Sequence, residues 1–174
     1  NHCKNIIQIY SSFLFRVKAS RDFGAMADEA SLETFLKDTD LEGNNFSSVM
    51  KQAQNYSAIY GHCLLVLDKP KIQTNTKAEE LNQDIRPYLS IVTTENVFDW
   101  NYKRLPNGKY VLDYLKIREE VDSKGGTYFR CWHEDVVDTL YLEAKRNDPI
   151  LIDTATNQIG KIPAVILYNA KSHK

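Results

Sequence analysis

Along the first half of the chain the apolar positions recur at helical spacing. Ile6, Tyr10, Phe13, Leu14 and Val17 stand three and four apart, which predicts a helix over residues 4–18 with one apolar face. Arg16, Lys18 and Arg21 give its end the basic character that suits a helix C-terminus. Residues 21–28 have no clear period and read as a loop. Ser31 then caps a short helix whose Leu32, Phe35 and Leu36 face inward. Asn45 or Ser47 starts the next helix. Phe46, Val49, Met50, Ala53, Ser57 and Tyr60 share one side of it, and Gly61 stands where a helix-ending glycine belongs. His62–Asp68 is short, apolar through its middle and stopped by Lys69-Pro70, the mark of a strand covered on both faces. Residues 71–86 are polar and charged and read as a surface loop, with one helical turn over Lys77–Leu81.

From Pro87 onward the pattern becomes short strands joined by turns. Tyr88–Val92 is a strand, and Thr94–Trp100 a turn or short helix capped by Thr94. Asn107-Gly108, between Tyr102 and Tyr110, signals a two-residue hairpin. Val111–Val121 is a long strand. Val111, Leu115 and Ile117 lie on one face; Leu112, Tyr114, Lys116 and Arg118 lie on the other. Gly125-Gly126 turns the chain into Thr127–His133. Val136–Leu142 follows, then a polar turn over 143–149. Ile150–Ile152 and Ile162–Tyr168 are the last strands. Turns this short require antiparallel neighbours. Helices ahead of strands make the class α+β, with N-terminal helices packed on a mainly antiparallel β-sheet.

Composition narrows the function classes. The 174 residues suit one domain of ordinary size, long enough to hold a core without disulfides or metal. Lys+Arg 22 against Asp+Glu 23 leaves −1, which argues against a general polyanion binder. No stretch approaches the roughly 20 apolar residues of a membrane-spanning helix. Three cysteines, Cys3, Cys63 and Cys131, are too few for a secreted disulfide scaffold and read as reduced thiols in a cytosolic setting. The chain opens Asn1-His2-Cys3 and ends Lys171-Ser172-His173-Lys174 directly after a strand, so both ends read as cut from a longer polypeptide.

Four constellations carry candidate chemistry. Asp38-Thr39-Asp40-Leu41-Glu42-Gly43 has the opening of a calcium loop, but positions nine and twelve are Phe46 and Val49. Without the closing carboxylate it reads as an acidic connection between helices. His62, Cys63, Cys131 and His133 suggest a zinc set. Neighbours on a strand point to opposite faces, however, and no metal-ligand spacing supports it. Cys63 or Cys131 with His133 and an aspartate behind it is the sharpest enzymatic arrangement, a small cytosolic hydrolase, yet no nucleophile elbow or oxyanion loop accompanies it. Lys103, Arg104 and Lys109 flank the hairpin tip, where they either touch phosphates or keep the tip solvated. A stand-alone module that binds proteins by strand addition at its hairpin edges is a third reading. Nucleotide-loop and zinc-protease motifs are absent from the sequence.

The order of segments resembles the wing region of tailed-bacteriophage portal proteins, the head–tail connectors. The segments are Asn1-His2 into Ile6-Ile7 and Phe13-Leu14-Phe15, then Leu36 to Phe46, then Gly61-His62-Cys63-Leu64-Leu65-Val66-Leu67-Asp68-Lys69-Pro70. They continue with Arg86-Pro87-Tyr88-Leu89, Thr94-Glu95-Asn96-Val97-Phe98-Asp99-Trp100, Tyr114-Leu115-Lys116-Ile117-Arg118-Glu119 and Ile162-Pro163-Ala164-Val165-Ile166-Leu167-Tyr168-Asn169. The likeness implies a wing-like α+β domain over 1–174, the stem, clip, tunnel loop and crown lying beyond Lys174. It implies a structural, non-enzymatic subunit of a homo-oligomeric ring, typically a dodecamer, at the capsid vertex of the virion, made in the host cytoplasm. Genome DNA would be packaged and ejected through the ring. Capsid protein, terminase and a head–tail adaptor are the implied partners, with no membrane and no cofactor. Catalytic, cofactor-binding and metal-binding residues are none, and DNA-contacting residues are not assigned.

Overall fold

The computed structural model describes residues 2–70 and 76–170. Three helices come first: α1 (His2–Leu14), α2 (Ala30–Lys37) and α3 (Phe46–Tyr60). Then follow β1 (His62–Asp68), α4 (Lys77–Asn82), β2 (Tyr88–Thr93), β3 (Val97–Arg104), β4 (Tyr110–Val121), β5 (Thr127–Trp132), β6 (Val136–Leu142), β7 (Ile150–Thr156) and β8 (Ala164–Tyr168). Single 3-10 turns cover Gly24–Met26 and Thr94–Asn96. The fold is α+β. The chain forms two compact units, residues 1–91 with 165–174, and residues 92–164.

In the first unit α3 packs on β1, with α1 and α2 against α3. Asn45 is the cap of α3: its side chain accepts from the Ser48 N–H at 3.0 Å. Gly61 ends the helix at φ +85, a conformation that side chains rarely adopt. Val49, Ala53 and Ser57 are the buried face of α3, and Cys63, Leu64 and Val66 the buried residues of β1. The three-stranded sheet has the order β2-β1-β8. Tyr88 reaches Asp68 and Ser90 reaches the Val66 carbonyl, while the Asn169 N–H donates to the Gly61 carbonyl. Both neighbours therefore run opposite to β1.

Three expectations change here. Ser31 lies inside α2, whose cap position is Glu29, so it does not cap the helix. The 4–18 helix ends at Leu14, and its apolar stripe does not face the core. Ile6, Ile9, Tyr10, Phe13, Leu14 and Val17 are all exposed, and the buried residue of α1 is Ser11. Ser11 is flanked one turn away by half-buried Ile7 and Phe15, so the inward face of the segment is a different one from the bulky stripe. The stretch read as a surface loop is in part ordered inward. Residues 71–75 lie outside the described residues. Within 76–86, α4 forms where one helical turn is expected, Ile85 is buried, and Arg86 bonds back to Asp38.

The second unit is a meander of order β3-β4-β5-β6-β7, antiparallel throughout. Leu115 pairs with Trp132 and Trp132 with Val137, an apolar row on one face; Phe129 and Cys131 are buried on the other. The β3–β4 hairpin is wider than two residues. Leu105 and Lys109 pair through the Leu105 N–H, and Gly108 alone takes positive φ, +84. One left-handed glycine after a turn is the three-residue bulged hairpin, not the Asn-Gly type that needs two such residues. Thr94–Asn96 turns as expected, but Thr94 does not cap it, and Val97–Trp100 belong to β3. The strand read at 162–168 is β8, and it leaves the meander to pair with β1.

Candidate functional site

Antiparallel register places one row of side chains across the whole five-stranded sheet. Asp99 lies opposite Lys116, Lys116 opposite Cys131, Cys131 opposite Asp138 and Asp138 opposite Thr154. Directly opposed residues present their side chains to the same face. The Thr154 hydroxyl donates to Asp138 Oδ1 at 2.7 Å, and the Tyr114 hydroxyl to Cys131 Sγ at 3.5 Å. His133 Nε2 is 3.7 Å from Asp138 Oδ2, and its ring lies 5.1 Å from that of Tyr114. The structure thus gathers Cys131, His133 and an aspartate. It adds Tyr114 and Lys116, which the sequence pattern places only on a strand face.

The protonation of this cluster decides its chemistry. Cys131 is buried, and burial pushes its thiol up, away from the thiolate a nucleophile needs. Burial first, and the bond to Cys131 second, push Tyr114 up as well. The tyrosine donates to the sulfur, while the imidazole leans on Asp138. Cys131 and Tyr114 therefore hold their protons instead of activating one another. Cys63 is separate from the row: its thiol donates to the Ala53 carbonyl at 3.4 Å, and burial raises its pKa too. His62 stacks near Tyr168. Among the described residues no three His, Cys, Asp or Glu side chains come together as a metal set.

The acidic connection is built around its own backbone. Asp38 Oδ1 accepts from the Gly43 N–H, and Asp40 Oδ1 from those of Glu42 and Asn44. Burial acts to raise Asp40, but the bond from the Asn44 amide and the two backbone N–H groups outweigh it and hold the carboxyl below its usual range. Thr39, fully buried, donates to the Phe35 carbonyl at 2.7 Å and accepts the Leu89 N–H on its own carbonyl at 2.8 Å. Arg86 spans Asp38 and Asp84. The carboxylates are consumed in closing the loop.

Two of the three hairpin cations, Lys103 and Arg104, are likewise engaged. Lys103 pairs with Glu134 and, at 3.1 Å, with Asp113; those two hydrogen bonds raise its pKa. The Arg104 guanidinium lies 5.8 Å over the Tyr110 ring.

Apolar side chains turned to solvent are the remaining surface features. One set is the α1 stripe, with Phe13 68% exposed. A second is β7, at the edge of its sheet, where Ile150, Leu151 and Ile152 are all exposed; Val165 and Tyr168 of the edge strand β8 are exposed as well. Sequence periodicity finds the first stripe as one apolar helical face, without saying what covers it. The second could be read only as a strand. No helix among the described residues is long and apolar enough to cross a membrane. No family model matches the chain, and no curated protein matches it.

Proposed function

We propose that this chain is a structural, non-enzymatic subunit of a portal-type ring. Copies pack head to tail about an axis at a phage capsid vertex, genome DNA passes through the ring, and capsid protein, terminase and a head–tail adaptor are its neighbours. The observation that carries this reading is the pair of unlike apolar surfaces, the α1 stripe in one unit and the β7 edge in the other. A ring joins two different patches of the same subunit, so that each copy offers one and receives the other. Exposed apolar patches and open sheet edges are features that monomers suppress. The order of segments shared with portal wings supplies the kind of ring. The protonated thiols weigh against the hydrolase.

Sedimentation velocity with two blocked variants tests the arrangement. Ile9→Asp/Phe13→Asp closes the α1 surface, and Leu151→Asp closes the β7 edge. The unaltered chain should associate with rising concentration, and each variant alone should stay monomeric. An equimolar mixture should give a dimer, because one variant keeps the surface that the other needs. A monomeric unaltered chain, or a mixture that stays monomeric, defeats the proposal.

A further inference from the structure

The first unit also holds a groove of about 1060 Å³ between the segment that follows α1, the C-terminal half of α2 and the start of α3. Arg16, Lys18, Arg21, Lys37 and Lys51 line it, against the single carboxylate of Glu33. That is a net +4 at one place in a chain whose balance is −1, so the remaining residues carry −5. The near-neutral total that speaks against general polyanion binding conceals a strong local segregation of charge. Arg21 is set in place: it donates to the Ser47 hydroxyl at 3.2 Å and lies 5.0 Å over the Phe46 ring. Phe15, Phe23 and Phe46 supply half-buried phenyl surface beside the cations.

We propose that this groove binds single-stranded nucleic acid, its cations meeting successive phosphates and its phenyl rings the bases. Three features choose this ligand. The volume stands at the top of the roughly 300–1,000 Å³ range of ligand clefts, with room for more than one nucleotide. Cations interleaved with aromatic rings are what an unpaired strand uses, since it offers both a charged backbone and open base faces. A duplex hides those faces, and an acidic peptide has none. The cations of the 15–23 segment lie on chain with no helix or strand from 18 to 23, so they can follow a backbone. The groove stands apart from the ring proposal and does not depend on it.

Fluorescence anisotropy of the intact chain with a labelled oligothymidylate of ~12 nucleotides tests the assignment. Four net charges predict a log–log salt slope near −3, a loss of roughly fifty-fold in affinity between about 50 and 200 mM salt. Arg16→Glu/Lys18→Glu should weaken binding at least tenfold. Both residues are exposed, so the fold is not at stake. Arg21→Glu/Lys51→Glu should do the same. Lys124→Glu/Lys161→Glu, an equal charge change outside the groove, should leave affinity within twofold. Absence of binding at low salt, an unchanged affinity in both groove variants, or equal affinity for a duplex or for polyglutamate overturns the proposal.

Discussion

At the residue scale the clearest device is Asp122 in the β4–β5 turn. Its Oδ1 accepts the Lys124 and Gly126 N–H groups at 2.8 and 2.7 Å, and its Oδ2 the Tyr141 hydroxyl at 2.7 Å. The tyrosine bond, then the Gly126 N–H, lowers the carboxyl, and the same bond lifts Tyr141 to about 12. The signs are opposite. The stabilisation from Asp122 is present above its unfolded pKa and lost as pH falls through the lowered one. That from Tyr141 is complete below ~10 and lost as pH rises through about 12. Asp122→Asn should bring the Tyr141 titration down toward ~10, read by ultraviolet absorbance of the tyrosinate. A β-carbon on Gly126 would stand 2.1 Å from the Tyr141 oxygen, so Gly126→Ala should produce the same shift by displacing the ring. The thiols give a second check. Cys3 is exposed while Cys63 and Cys131 are buried, so a disulfide exchange reagent should titrate one thiol in the native chain and three after unfolding. Fast reaction of Cys131 at neutral pH would revive the hydrolase. That Cys131 and His133 share a face was legible from their spacing of two. Asp138 was not, because it arrives through cross-strand register, which no local pattern encodes.

At the element scale the sequence shows where segments begin and end more readily than where they dock. Asn45 and Gly61 bracket α3 because caps are local chemistry, and Val136–Leu142 is bounded in the sequence as it is in β6. The burial of α1 was not legible, since periodicity identifies a stripe without saying what covers it. The same holds for β8, whose pairing with β1 bridges about a hundred residues. Nor did anything local single out Arg86, which ties the segment before β2 to the α2–α3 connection. Its guanidinium donates to Asp84 at 2.8 Å, to the Asp38 carboxylate at 2.6 Å and to the Asp38 carbonyl. Its side chain is only 14% exposed, so solvent screens these bonds weakly. Burial alone would lower its pKa; the bonds to Asp84 and Asp38 outweigh that and raise it. Arg86→Ala should cost about 2 kcal/mol in urea unfolding. Arg86→Lys should recover little, because one ammonium cannot span a fork of three acceptors. Full recovery by lysine would mean that charge, and not fork geometry, holds the connection.

At the scale of the whole molecule the chain order makes the two units unequal. Residues 92–164 contain a sheet in which each strand pairs with its neighbour in sequence, so its closure depends on short turns alone. The first unit is interrupted: its sheet needs β8, which the chain supplies only after the other unit is complete. Expressed alone, 92–164 should unfold cooperatively in urea with the circular dichroism of a β-sheet. Residues 1–91 should not, because β1 would lose one of its two partners and open an edge beside Leu64 and Val66, buried in the intact chain. Joining residues 161–170 to 1–91 through a flexible linker should restore cooperative unfolding, with the added segment returning as the third strand. A cooperative, monomeric 1–91 would show that the helices on β1 suffice. The order of folding inferred here, meander first and helical unit closed last by the returning strand, would then lose its basis.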